Sequence, residues 1–250
     1  VAFDIFSVGD TVSAKDGGNF AGNVAMAGTL GVTGNVGVGV TPSTLLHIKG
    51  ANPVYRIEDN NETGSGNIVF RDSARETAKI SVASGASASM QFQTLGTEAM
   101  RIDATGAVTM PLQPAFLAHP SSTQSNIAVG SDITVLFATE IFDQNADFNT
   151  ANYTFTAPVT GRYQFNIVYY LENIDTATGY YYIFFDTSNR NYFNIISPAF
   201  TADTSYLSLT LSMLVDMDAS DTALCKIRQS HGTSQTDISG NSFFSGYLVA

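Results

Sequence analysis

Apolar and polar residues alternate with period two along most of the chain, the pattern of half-buried strands. The C-terminal half carries it most densely, in Phe116–His119, Ile133–Phe137, Tyr153–Phe155, Tyr163–Tyr170, Tyr180–Phe185, Tyr192–Ile196, Tyr206–Val215, Ala223–Arg228 and Phe243–Val249. Turn clusters separate these runs at spacings suited to an antiparallel sandwich. Before residue 111 the runs are shorter: Leu45–Ile48, Val54–Ile57, Asn67–Phe70, Lys79–Val82, Met90–Phe92 and Met100–Ile102. Earlier still, Gly22, Gly28 and Gly34 open three six-residue units with apolar pairs Val24/Met26, Leu30/Val32 and Val36/Val38. Each unit reads as a short strand with Gly at the turn. Such a unit is too thin to bury itself, so burial is expected from stacking and from other chains. No helical period of useful length is present, and 83–89 hold only Ala, Ser and Gly. The predicted fold class is all-β: a short trimeric β-shaft with small β units, then an antiparallel β-sandwich.

Composition changes at Pro111-Leu112-Gln113-Pro114, where two prolines interrupt any ladder. Of 17 Phe and 11 Tyr, only Phe3, Phe6, Phe20, Tyr55, Phe70 and Phe92 precede this point. The expected organisation is 1–20 as an attachment peptide, 21–110 as a Gly-rich shaft with a small β region, 111–114 as linker and 115–250 as a head. The net charge of −11 with scattered Lys and Arg argues against nucleic acid as partner. No apolar run reaches the roughly 20 residues of a membrane span, so no membrane insertion and no signal peptide are expected. A lone Cys225 excludes an intrachain disulfide framework.

Val38-Gly39-Val40-Thr41-Pro42-Ser43-Thr44-Leu45-Leu46-His47-Ile48 resembles a segment common in bacteriophage tail fibres, and Ala99-Met100-Arg101-Ile102-Asp103-Ala104-Thr105-Gly106-Ala107-Val108 resembles the segment closing the small β unit of those fibres. Many such fibres continue into a self-cleaving chaperone domain; this chain departs from that pattern, and autocleavage is not expected.

The C-terminal part has a sharper signature, Phe155-x5-Gly161-x-Tyr163-x-Phe165. It resembles the globular head of complement component 1q, a jelly roll related to tumour necrosis factor. Phe244-Ser245-Gly246-Tyr247-Leu248 resembles the strand that closes such heads, and Ile167 stands where they carry an aromatic. Phe155, Gly161, Tyr163, Phe165, Phe244 and Gly246 are therefore the signature positions, with structural roles. Gly161 is expected to permit a tight turn, and Tyr163, Phe165 and Ile167 to share one face. The surplus of Tyr, including Tyr169, Tyr170, Tyr180, Tyr181 and Tyr182, is expected on an amphipathic surface. The resemblance implies a homotrimer and a ligand-binding module without catalysis.

Candidate chemistry is sparse. Asp143-x-Asn145-x-Asp147 opens like a calcium loop, but Phe148 replaces the Gly an EF-hand needs. Asp216, Asp218 and Asp221 suit a hairpin tip better than a cation site. Calcium, known in some such heads, is the only cofactor worth weighing, with no ligands assigned. His47, His119 and His231 have no metal or hydrolase spacing, Cys225 reads as a small buried hydrophobe, and Gly37-Val-Gly39 lacks the helix a dinucleotide site requires. The sequons at Asn61 and Asn152 are irrelevant to a chain made in a bacterial cytoplasm. No carboxylate pair marks a glycosidase, which leaves a polysaccharide-degrading spike as a distant alternative.

The sequence thus predicts a non-enzymatic phage fibre on the virion, docked through its N-terminus on another virion protein. Its head would bind a host surface glycan or protein through distal loops at 143–150, 172–179, 186–191, 201–205 and 229–241. A capsid decoration or head-fibre role is the alternative.

Overall fold

The computed structural model describes residues 34–38, 40–57, 64–83 and 88–250, which hold nineteen strands and no helix. The chain divides into two compact units after Arg56. In the first, β1 (Val36–Val38) pairs in parallel with β2 (Leu46–Ile48). The unit opened by Gly34 is therefore a strand, paired within its own chain. A side chain at Gly37 would collide with the Val40 carbonyl oxygen and lie 2.8 Å from Pro42 Cδ, so this glycine provides close approach. The units opened by Gly22 and Gly28, and the attachment peptide, lie outside the described residues. Val54–Ile57 forms no ladder, against expectation: Pro53 just before it has no N–H to give, and Val54 and Tyr55 are largely exposed.

The second unit begins with an antiparallel meander of β3 (Ser65–Arg71), β4 (Glu76–Ala83), β5 (Ser89–Thr94), β6 (Thr97–Ile102) and β7 (Val108–Thr109). Leu95 and Gly96, at φ 50° and 80°, make the two-residue turn between β5 and β6. Asp103 Oδ1 closes the next turn by accepting from Thr105 N at 2.8 Å and Ala107 N at 3.0 Å. Ile68, Ile80, Phe92 and Met100 stand opposite one another across four strands. None of these four is buried, and Ile68 is openly exposed. A single sheet offers such a row no opposing layer.

The rest of the unit is a two-layer sandwich. One sheet orders β10 (Thr139–Asp143), β8 (Ala115–His119), β19 (Phe243–Leu248), β13 (Gly161–Ile174) and β16 (Thr204–Met217), with β18 (Asp237–Ile238) on β13. The other orders β11 (Phe148–Asn149), β12 (Thr154–Thr156), β17 (Thr222–Ser230), β14 (Tyr180–Thr187) and β15 (Asn191–Ile196), with β9 (Ile133–Thr134) on β17. Tyr163, Phe165, Ile167, Tyr169 and Leu171 alternate along β13 and are all essentially inaccessible to solvent. They meet Tyr181, Ile183 and Phe185 of β14 and Cys225 and Ile227 of β17 in one core. Phe116 stacks on Phe148 at 4.8 Å and meets Phe244 edge-on at 4.8 Å. Phe165 lies 5.6 Å from Phe244 and 5.7 Å from Phe185. Each buried ring contributes about 1.5–3 kcal/mol by leaving water.

The glycines of the signature are there for space. A Cβ at Gly246 would fall on the Phe165 ring, 2.5 Å from Cε1, and 2.8 Å from Phe116 Cε1. Gly161 does not make the tight turn expected of it. It lies inside β13 paired with Met217, and a Cβ there would come within 2.7 Å of both Ala250 O and Leu248 Cδ1.

Other expectations need revision. Val135 and Phe137 are fully buried but leave β9: Phe137 N donates to Val135 O at 3.1 Å and Ala138 N to Leu136 O at 2.8 Å. Val135 N still donates to Cys225 O at 3.0 Å, and beyond it tight i to i+2 turns preserve the alternation where the ladder ends. Tyr153 precedes its strand in a left-handed conformation, φ 62°. Tyr169 and Tyr181 are core residues, not surface ones, because partners wait inside: Tyr169 OH donates to Lys226 O at 3.3 Å, and Tyr181 OH lies 2.8 Å from Thr236 Oγ1. The short strands β10, β11 and β18 were not foreseen.

Gly246→Ala is expected to cost about 1–3 kcal/mol in denaturant unfolding, because the rings it would strike are packed on all sides. Gly240→Ala, whose Cβ would meet nothing nearer than 3.7 Å, should change stability by less than about 0.5 kcal/mol.

Candidate functional site

The register of β13 orients the sandwich. Its first residue, Gly161, pairs with Met217, and its last, Ile174, pairs with Thr204. The chain enters at the Gly161 end, where Leu248 N donates to Pro114 O at 3.1 Å and Arg162 N to Ala250 O at 2.7 Å. At the opposite end, hereafter the far end, three predicted loops converge: 172–179, 201–205 and 229–241.

Three carboxylates tie these loops together. Asp175 Oδ1 accepts from Ala177 N at 2.7 Å, and its Oδ2 accepts from Thr233 Oγ1 at 2.7 Å and Thr233 N at 2.5 Å. Asp203 Oδ1 accepts from Thr176 N at 2.9 Å, and Asp237 accepts from Asn173 Nδ2 at 2.8 Å and Asn126 N at 2.7 Å. The Thr233 hydroxyl, followed by the Ala177 and Thr233 amides, holds the Asp175 carboxyl below the ordinary carboxylate range. Asn126, Asn173 and His231 adopt positive φ of 55°, 56° and 62°, and Gly232 follows at 81°. Local hydrogen bonds therefore hold the loops in set shapes. No Lys or Arg lies in the three loops, and Asn173, Thr176, His231, Thr233 and Ser234 stand exposed. The far end thus offers amide, hydroxyl and imidazole groups on a mildly acidic frame. Hydroxyls and amides of a partner are what such a surface can meet.

The remaining two predicted loops are at the entry end. Gln144 N donates to Ala115 O at 2.9 Å, and its Nε2 donates to Met110 O at 2.8 Å and Gln113 O at 2.6 Å. Asn189 Nδ2 donates to Asp216 O at 3.2 Å. Loop 143–150 therefore lies against the linker and loop 186–191 at the same end of the domain, and the expectation of five loops at one distal end is corrected to three. A shallow recess of about 190 Å³ opens here among Thr160, Arg162, Asn189, Asp216 and Asp218.

The acidic residues singled out for calcium are engaged by protein donors. Asp143 accepts from Asp147 N at 3.2 Å and Phe148 N at 2.8 Å. Asp221 accepts from Asp218 N at 2.7 Å, Ser188 Oγ at 2.8 Å and Asn189 Nδ2 at 2.8 Å, and the first of these leads in lowering its pKa. Asp216 accepts from Tyr192 OH at 2.8 Å, which lowers its pKa further than the more distant Arg190 does. Among the described residues no three His, Cys, Asp or Glu side chains gather as a metal site. His47 Nδ1 meets Ser43, His119 Nδ1 meets Pro120 O at 2.8 Å, and His231 Nδ1 lies 2.5 Å from Ser230 Oγ. Cys225 is buried, and desolvation pushes its thiol well above the ordinary value, so it packs as a small apolar group.

Two antiparallel sheets in this strand order, with the signature rings interleaved between them, form a jelly roll, and residues 115–249 match the C1q domain. The chain belongs to the C1q-domain family. Solved structures similar to it include the globular domain of zebrafish complement 1qA protein, 17% identical over 55% of this chain and 98% of that chain, TM-score 0.42. Murine APRIL at pH 5.0 is 15% identical over 55% of this chain and 99% of that one, TM-score 0.40. PRD1 vertex protein P5 is 11% identical over 55% and 96%, TM-score 0.39. No curated protein matches the sequence.

Within the C1q domain, Phe155, Tyr163, Phe165 and Phe244 are fully buried, and Gly161 and Gly246 make room beside them. All six signature residues therefore build the frame, and none reaches the loops of the far end. The residues that shape that end, Asp175, Asp203 and Asp237, were not singled out from sequence. Their one signal was an Asp in each of three separate turn-rich segments.

Asp175→Asn is expected to loosen the far end while leaving the sandwich folded, read as faster amide exchange at Ala177 and Thr233. In the unaltered chain the carboxylate is stabilised relative to the unfolded state, so its contribution is present above the unfolded pKa. It is lost as pH falls through the lower folded value, so protection of those amides, measured relative to their intrinsic exchange rate at each pH, should fall only under such acid conditions.

Proposed function

We propose that the chain is a trimeric phage fibre protein whose C1q domain binds the host cell surface through its far end, without catalysis. One observation carries this reading: three polar loops are assembled and fixed at the end opposite the chain's entry. A head carried on preceding β structure presents that end outward. The frame offers amides, hydroxyls and an imidazole, which suit recognition of a hydrated surface glycan or protein better than bond cleavage. Three equal heads would gain by multivalency where a single contact is weak.

The trimer has its own support. The row Ile68, Ile80, Phe92 and Met100 is left without an opposing layer by its own sheet, and two further copies could cover it around a three-fold axis. The shaft repeats and fibre-type segments point to a virion, with the N-terminal region as the docking element.

Light scattering of the full chain should give three times 26.6 kDa, and Phe92→Glu should lower that mass. A stable monomer would remove the shaft argument. The purified chain should compete with virions for host cells, and gold-labelled antibody against 115–250 should decorate the tail. Label spread over the capsid would replace receptor binding with decoration.

A further inference from the structure

The outward face of the sheet containing β14, β15 and β17 carries an aromatic cluster that the far-end loops do not explain. On a strand whose inward residues are Tyr181, Ile183 and Phe185, the outward set is Tyr180, Tyr182, Phe184 and Asp186. Phe184 is only 1% exposed although it points away from the sandwich core. Tyr182, at a ring separation of 5.0 Å, helps cover it. Phe193 on β15, opposite Phe184 in the register, packs on Tyr182 at 4.8 Å and leaves half its own surface open. Beside these rings is a hollow of about 320 Å³ that starts at Tyr180, the partner of Ser230 in the far-end loop.

Its wall is charged yet neutral in sum. Arg228 Nε donates to Asp132 Oδ1 at 2.7 Å, and both side chains remain partly open to solvent. Two residues back along β17, on the same face, Lys226 is paired with Asp186. A guanidinium has five N–H donors, so pairing through Nε leaves this one with donors to spare, and the Asp132 carboxylate has further lone pairs. The Tyr182 phenol sits within the field of this pair: desolvation and then Asp132 raise its pKa, and Arg228 opposes them.

We propose that the hollow lined by Tyr180, Tyr182, Phe184, Ile195, Arg228 and Asp132 binds one ring of a neutral sugar. A pyranose has an apolar C–H face, which packs on aromatic rings, and an edge of hydroxyls that both donate and accept. The hollow supplies the partly exposed rings of Tyr180 and Tyr182, backed by the buried Phe184, and a paired donor and acceptor at its wall, the mixture expected of a small-molecule site. Balanced charge selects against anionic sugars and phosphate, since neither ion pair has a net charge to offer. The proposal deepens the host-surface reading and rests on it for the origin of the sugar, but the chemistry of the hollow stands separately.

Saturation-transfer NMR on the full chain tests this with the methyl glycosides of glucose, galactose and N-acetylglucosamine, and with N-acetylneuraminic acid as the anionic control. At least one neutral glycoside should receive saturation at its ring C–H protons, and the anion should not. Arg228→Gln should weaken that binding by about tenfold or more, and Tyr182→Ser should abolish it. Tyr206→Ser, on the exposed face of the other sheet, should leave it intact, and thermal unfolding shows that each variant is folded. Absence of binding by any neutral glycoside at millimolar concentration overturns the proposal, as does binding that survives both hollow variants. A fall in oligomer mass for folded Tyr182→Arg also overturns it, by making this face a contact between copies. Glycoside binding here in a chain that fails to compete with virions supports the hollow and overturns the receptor reading alone.

Discussion

Everything in the C1q domain depends on the fit of Phe165 against a position that has no side chain. β13 and β19 are hydrogen-bonded neighbours, with Phe165 opposite Gly246. Because Gly246 leaves its site empty, the Phe165 ring can lie over the adjacent strand and reach Phe155, Phe185 and Phe244 at 5.4–5.7 Å. Phe116 enters the same space from β8, two strands away from β13 in the sheet. Aromatic groups at such separations gain from edge and offset contacts beyond the area they bury. The glycine and the ring are thus one feature, and the closeness of the two layers follows from it.

That packing also sets where recognition can occur. β13 and β16 run side by side for nearly their full length, which fixes Gly161 and Ile174 at opposite ends of the domain. Rings such as Tyr163, Phe165 and Phe244 fill the interior and are fully buried, so chemistry available to a partner is carried by loops and outward sheet faces. The two surfaces differ in kind. The far end is polar and held by carboxylate hydrogen bonds, whereas the flank is aromatic and bordered by neutral ion pairs. They meet at Ser230 and Tyr180, so an extended ligand could touch both.

Strands whose alternation coincided with a ladder were legible in the sequence. β13, β14 and β16 are long enough that period two is unmistakable, and each proved longer than expected by a few residues. Val135-Leu136-Phe137 shows why pattern is insufficient: tight turns can alternate burial as well as a strand does. Tyr169 and Tyr181 show the limit of residue type, since a phenol is content in a core that offers it an oxygen. Gly161 was recognised as necessary for a conformational reason, but the actual reason was the approach of the final strand, a long-range fact. The far-end cluster was least legible. Asp175, Asp203 and Asp237 are ordinary turn residues one at a time, and only the strand order brings them into one network.

The chain's route through the sandwich has one more consequence. The first and last strands of the head lie side by side, and both meet the linker at the entry end. The far-end segments 175–179 and 197–203 each carry the chain from one sheet to the other, and neither helps join the first strand to the last. Exposed residues there, such as Ala177, Thr201 and Ala202, can be exchanged without moving the point where the head is attached, while Phe200 packs on the core. On the proposed role, binding preference is free to change while the architecture stays still, a division of labour between the loops and the rings beneath them.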